Sequence, residues 1–152
     1  VISNEELLAL PVDVLVPAAL ENVINENNMT KIQAKIIIEM ANGPVTEKAY
    51  EYLTKKGVII IPDVLANSGG VIVSYLEWQQ NIKGEVWSEE KVNQKLEEMM
   101  REAFEKIWQK ATANSQSGSQ GINQVLQIGE IDLKQAAFAV AIERIAKATS
   151  YR

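Results

Sequence analysis

The chain has 152 residues, 47% of them apolar, and 15 Lys and Arg stand against 20 Asp and Glu for a formal net charge of -5. That is enough apolar material for one domain with a real core, and the wrong sign of charge for a nucleic-acid module, which presents a basic patch or stripe. The sequence has no Cys and no His, which excludes disulfides, thiolate metal sites, Cys nucleophiles and any Ser-His-Asp or Cys-His relay, so proton transfer would fall to Lys, Asp, Glu or Tyr. No metal-ligand set is assigned.

No run approaches the ~20 apolar residues of a membrane span, and the acidic opening "VISNEELLAL" lacks the basic n-region of a secretory signal. A soluble, cytoplasmic protein with neither a membrane nor a nucleic-acid partner is therefore expected. Val1 stands where an initiator Met would be, so the chain reads as part of a longer polypeptide.

Taken in order, "SNEELLALP" predicts a short helix. Ser3 and Glu6 have the spacing of a capping box, and Pro11 ends the segment. Residues 12–17, "VDVLVP", predict a strand stopped by proline. The Asn-rich stretch 18–33 reads as helix or loop. Residues 34–40, "AKIIIEM", predict a second strand, with three isoleucines suggesting burial on both faces, as in a parallel sheet. After the turn "ANGPV", Thr46 caps a helix over "EKAYEYLTKK", with Gly57 just beyond its end. Residues 58–62, "VIIIP", predict a third strand. This alternation predicts an α/β fold with parallel strands and right-handed crossovers.

Residues 71–84 predict a helix, because Val71, Ser74, Tyr75, Trp78 and Ile82 share a helical face and Gly84 suits its end. Ser88 caps a long helix with an apolar stripe of Val92, Leu96, Met99, Met100, Ala103, Ile107 and Trp108. Residues 114–121 read as a polar low-complexity loop, and 122–130 are ambiguous. Asp132 caps a last helix whose face of Leu133, Ala136, Ala137, Val140, Ala141 and Ile145 needs a partner surface.

Each predicted strand ends in a similar place: "VPAALEN", "MANGP" and "PDVLANSGG". Ligands of open parallel sheets bind at the carboxyl ends of the strands. Three consecutive ends deliver small residues and an Asn there. Small side chains let a ligand approach the backbone, an Asn offers both donor and acceptor, and two glycines opening a helix leave N–H groups unengaged. The pattern predicts a floor for a flat polar ligand, although any one of these loops alone would read as ordinary turn chemistry.

Three long stretches, "VDVLVPAALENVI", "AKIIIEMANGPVT" and "IPDVLANSGGVIVSYLEWQQN", resemble the carboxyl-terminal half of the glutamate dehydrogenases, in the family that also holds leucine, phenylalanine and valine enzymes. The likeness runs from Val12 to Ala111 and returns at "DLKQAAFAVAIERIAKA". It implies the second half of a Rossmann-type NAD(P) domain: three parallel strands with helices, followed by long carboxyl-terminal helices. Residues 1–112 would be the partial Rossmann-type domain and its following long helix, 113–131 a polar loop or insertion, and 132–152 a helix packing back on the domain. Ala18, Ala19, Asn22, Asn42 and Asn67 would lie along NAD or NADP. Gly70, Val71 and Ser74 would face the substrate, with Ser74 beside its side-chain carboxylate, which favours L-glutamate and 2-oxoglutarate over an apolar amino acid.

The family's Gly-rich fingerprint and its substrate domain, which carries the catalytic lysine and aspartate, are not in this sequence. No catalytic residue is assigned, since Lys35, Lys55 and Lys56 fall on strand or helix positions away from the loops. The reading is thus a fragment of an NAD(P)-dependent glutamate dehydrogenase, inactive alone and weak or absent in cofactor binding. The alternatives are a leucine- or phenylalanine-type fragment, or a non-catalytic nucleotide-binding or oligomerisation module. The resemblance leaves the strand edge from Val12 to Val16 bare, and self-association through it, as a homo-oligomer, or pairing with a partner that carries the other half, is expected.

Overall fold

The computed structural model describes residues 1–113 and 131–150. The polar stretch 114–121 and the ambiguous 122–130 lie outside the described residues. The chain divides into two compact units, residues 1–67 and 68–152.

The first unit opens with helix α1, Asn4–Leu8. Ser3 accepts the Glu6 N–H while Glu6 reaches back to the Ser3 N–H, so the predicted capping box is present. Three parallel strands follow, β1 (Val14–Leu15), β2 (Ile36–Ile38) and β3 (Ile59–Ile61), in the order β1-β2-β3. Val14 pairs with Ile36, and Ile36 with Ile59. The ladders are shorter than the apolar runs that announced them. Pro17 and Pro62 close two of those runs, and proline has no N–H to extend a ladder. The connection from β1 to β2 contains no α-helix. It is a set of turns with one 3-10 turn at Met29–Lys31, and its asparagines serve those turns: Asn28 Oδ1 accepts the Asn25 N–H, and Asn28 Nδ2 donates to Val23 O.

Helix α2, Glu47–Lys55, crosses from β2 to β3. Thr46 Oγ1 accepts the Ala49 N–H, and Gly57 follows the helix end at φ +85°, a left-handed conformation that glycine adopts without a Cβ clash. The helix buries Ala49, Tyr50 and Leu53 against Ile24, Ile32, Ile37 and Ile60. Side chains alternate along a strand, so Ile37 joins this core and is wholly buried, while Ile36 and Ile38 are half-buried on the opposite face. Full burial of an Ile or Leu contributes about 1.5–3 kcal/mol, which makes this cluster the main support of the strand ends. Helix α3, Asp63–Ala66, is a single turn after Pro62.

The second unit is helical. Helix α4 (Gly69–Lys83) ends on Gly84 at φ +63°. Helix α5 (Glu89–Thr112) is capped by Ser88, and α6 (Leu133–Thr149) by a capping box of Asp132 and Gln135. Trp87 N–H donates to Gln80 Oε1 across the α4–α5 link. Lys110 of α5 pairs with Glu143 of α6, and Ile107, Ala111, Leu133, Ala136 and Ala137 are buried. Among the described residues no helix is long and apolar enough to cross a membrane.

Candidate functional site

The carboxyl ends of the three strands are stitched together by backbone hydrogen bonds. Pro17 O, just after β1, accepts the N–H groups of Met40 and Ala41, just after β2, at 3.1 and 2.9 Å. Further on, Asn22 N–H donates to Gly43 O at 2.9 Å, Ile24 N–H to Pro44 O at 3.0 Å, and Thr46 N–H to Ile24 O at 2.9 Å, with an isolated parallel bridge between Ile24 and Val45. Glu39 N–H donates to Ile61 O at 3.1 Å. Three loops that are distant in sequence are therefore neighbours at one edge of the sheet.

On that edge Asn67 Nδ2 donates to Asn42 Oδ1 at 2.7 Å and lies 3.5 Å from Met40 O. The two amides form a pair, and among the described residues Asn42 Nδ2 and Asn67 Oδ1 have no hydrogen-bond partner. The pair thus presents one donor and one acceptor. Asn22 stands beside them through its bond to Gly43, and is, among the described residues, the non-glycine residue with positive φ, 55°. Asn tolerates the left-handed region better than most residues. Ala18, Ala19 and Asn22 are exposed, Asn42 is exposed and Asn67 half-buried. The structure brings Asn22, Asn42 and Asn67 together, with Ala18 and Ala19 on the loop that reaches Asn22.

Gly70, Val71 and Ser74 belong to the first turns of α4 in the second unit. A Cβ added at Gly70 would meet nothing within 4 Å. Val71 is 73% exposed. The Ser74 hydroxyl donates to Gly70 O of its own helix at 3.1 Å.

Two carboxylates in this region were not singled out from the sequence. Glu39 is fully buried at the end of β2, and its Oε2 accepts the Asp63 N–H at 3.1 Å. Asp63 accepts the Gly43 N–H at 2.9 Å. The available signal was an acid directly after three isoleucines, where an acceptor must meet buried donors. The three lysines set aside are engaged elsewhere: Lys35 pairs with Asp13 at 2.7 Å, Lys55 with Glu51 at 2.5 Å, and Lys56 Nζ lies 4.9 Å from the Tyr52 ring centroid. Lys35 holds the Asp13 carboxyl below its usual value by a hydrogen bond and by its charge. Among the described residues no cluster of His, Cys, Asp or Glu could hold a metal.

The profile of the Glutamate/Leucine/Phenylalanine/Valine dehydrogenase family matches residues 1–152. An NAD-specific glutamate dehydrogenase of Staphylococcus aureus (strain COL) is 45% identical over 151 residues, 99% of this chain and 33% of that protein. A glutamate dehydrogenase of Thermotoga maritima is 43% identical over 154 residues, again 99% and 33%. Among solved structures, the hetero-hexameric glutamate dehydrogenase of Thermus thermophilus in its Leu-bound form superposes with a TM-score of 0.83 at 31% identity, covering 99% of this chain and 32% of that one. The chain spans a third of the length of the curated relatives it matches. With its parallel three-strand sheet and its sequence matched from end to end, the chain belongs to the Glutamate/Leucine/Phenylalanine/Valine dehydrogenase family.

Proposed function

We propose that this chain is the nicotinamide-side part of an NAD-dependent glutamate dehydrogenase, which interconverts L-glutamate with 2-oxoglutarate and ammonia, and that the protein works as an oligomer. The observation that carries the reading is the Asn42–Asn67 amide pair at the joined ends of three adjacent parallel strands. Its unengaged donor and acceptor match the acceptor and donor of a carboxamide, so the residues present fit the nicotinamide end of the cofactor. NAD rather than NADP is supported by the NAD-specific Staphylococcus aureus relative.

When bound, the cofactor supplies a hydride acceptor for the substrate's α-carbon. The chain's own residues bind and orient. Asn67 and Asn42 fix the carboxamide and so choose which face of the ring is presented. Asn22 meets the ribose, and Ala18 and Ala19, lacking bulk, let the cofactor approach the loop backbone. Gly70 keeps the start of α4 bare, and Val71 gives an apolar wall. Ser74 holds the substrate's side-chain carboxylate by turning its hydroxyl proton from Gly70 O to that anion, exchanging a neutral hydrogen bond for a charge-assisted one. The sequence holds no G-x-G-x-x-G, so the pyrophosphate cradle lies outside these 152 residues and the chain alone binds the cofactor weakly.

The test is NADH formation from L-glutamate and NAD by the full-length protein, compared with its Asn42→Ala and Asn67→Ala variants. Each variant removes a hydrogen bond to the ring amide, and kcat/KM is expected to fall about tenfold or more. Undiminished turnover in both variants would remove the amide pair from the site.

A further inference from the structure

We propose that Glu39 and Asp63 are positioning residues, a two-carboxylate clamp that ties the turn after β2 to the turn after β3 and so sets the spacing of Asn42 and Asn67. Glu39 is an ionisable residue with no exposure. A carboxylate is costly to bury unless donors receive it, and charge-assisted bonds to backbone N–H groups are short and directional. Glu39 Oε2 accepts the N–H of Asp63 at 3.1 Å. Asp63 uses both of its oxygens on backbone: Oδ1 accepts the Val64 N–H at 2.7 Å and Oδ2 accepts the Gly43 N–H at 2.9 Å.

Each end of this clamp is one short step from an amide of the pair. Gly43 directly follows Asn42 and is held at φ +53°. Asn67 lies one helical turn after Asp63, and its own N–H donates to Asp63 O at 3.0 Å. The sequence of contacts runs from Glu39 to Asp63 to Gly43, and the Asn42–Asn67 bond at 2.7 Å closes the far side. Neither carboxyl group has a hydrogen bond to either amide side chain among the described residues, and the contacts that link them to the two turns, at Asp63 N–H, Val64 N–H and Gly43 N–H, are to backbone. The geometry of the clamp stands by itself; its effect on cofactor binding rests on the proposed function.

The experiment uses the full-length protein with Asp63→Ala, Asp63→Asn and Glu39→Leu, and with Thr46→Ala as a variant that weakens the same unit outside the clamp. Hydrogen exchange read by mass spectrometry over residues 41–46 reports the turn, and NADH titration reports the consequence. Asp63→Ala should speed exchange at Gly43 about tenfold and weaken NADH about tenfold. Asp63→Asn, which keeps an acceptor oxygen, should restore most of both, and Thr46→Ala should leave NADH affinity within a factor of about two. Glu39→Leu is expected to resemble Asp63→Ala; if it does not fold, Asp63→Ala decides alone. Unchanged exchange in Asp63→Ala overturns the clamp. Faster exchange with unchanged NADH affinity, while Asn67→Ala still weakens NADH, overturns the positioning role and leaves the proposed function standing. If the unaltered protein binds no NADH, the proposed function fails, and the clamp is judged on exchange alone.

Discussion

Ser74 donates its hydroxyl proton to Gly70 O, one turn back on α4. Such a bond is common for a helical serine; on the proposed function the hydroxyl turns from it to the substrate's carboxylate. Valine has a similar size and no proton to give. In the full-length protein Ser74→Val should therefore raise KM for L-glutamate about tenfold and improve leucine relative to glutamate, as steady-state kinetics with both substrates will show. Equal handling of glutamate by both proteins would take Ser74 out of the substrate pocket. Gly70 makes a related point by what surrounds it. An added Cβ meets nothing nearby, and the residue does not adopt positive φ, so nothing among the described residues demands a glycine there.

The elements differ in how much of them could be read in advance, and the difference is physical. Caps are local: Ser3, Thr46, Ser88 and Asp132 all accept the N–H three residues on, and each could be placed from spacing alone. Gly57 and Gly84 mark helix ends for the same reason. Strand extent depends instead on partners far along the chain. The runs of residues 12–17, 34–40 and 58–62 shrink to two or three paired residues, because beyond them the backbone bonds to loops, as Met40 and Ala41 do with Pro17. Helix α3 escaped the reading as a loop, though a proline followed by an acid is a helix-start signal. At the candidate site, the recurrence of Asn22, Asn42 and Asn67 was legible in the sequence, but Glu39 and Asp63 were not. Their partners are backbone groups that only the fold brings near. The value of a cap can be measured at Thr46, whose Oγ1 also donates to Glu26 Oε2 at 3.2 Å. Thr46→Ala should cost about 1 kcal/mol, read as a lower denaturation midpoint, and Thr46→Ser should recover most of it.

For the whole molecule, the sheet among the described residues has two edge strands, β1 and β3, each paired only with β2. β1 pairs with β2 and, among the described residues, with no other strand. Val12, Val14 and Val16 are exposed at 37%, 43% and 48%, on a chain whose net charge of -5 gives only modest repulsion between copies. An unpaired apolar strand edge recruits another strand. The 152-residue chain should self-associate, and Val14→Lys should shift it toward monomer, as light scattering across a concentration series will show; an unchanged mass distribution would exclude this edge. The turn after β2 carries a different kind of vulnerability. An Asn followed by Gly is a chemically labile step, because an unhindered backbone nitrogen can attack the side-chain carbonyl carbon and expel ammonia. Here the nitrogen of Gly43 is hydrogen-bonded to Asp63 and the carboxamide of Asn42 to Asn67, so both reactants are occupied while the turn stays shut. Deamidation of Asn42 then proceeds only in the moments when the turn opens. Each such event irreversibly swaps a neutral amide for an anion, so that conformational lapses accumulate as permanent chemical ageing.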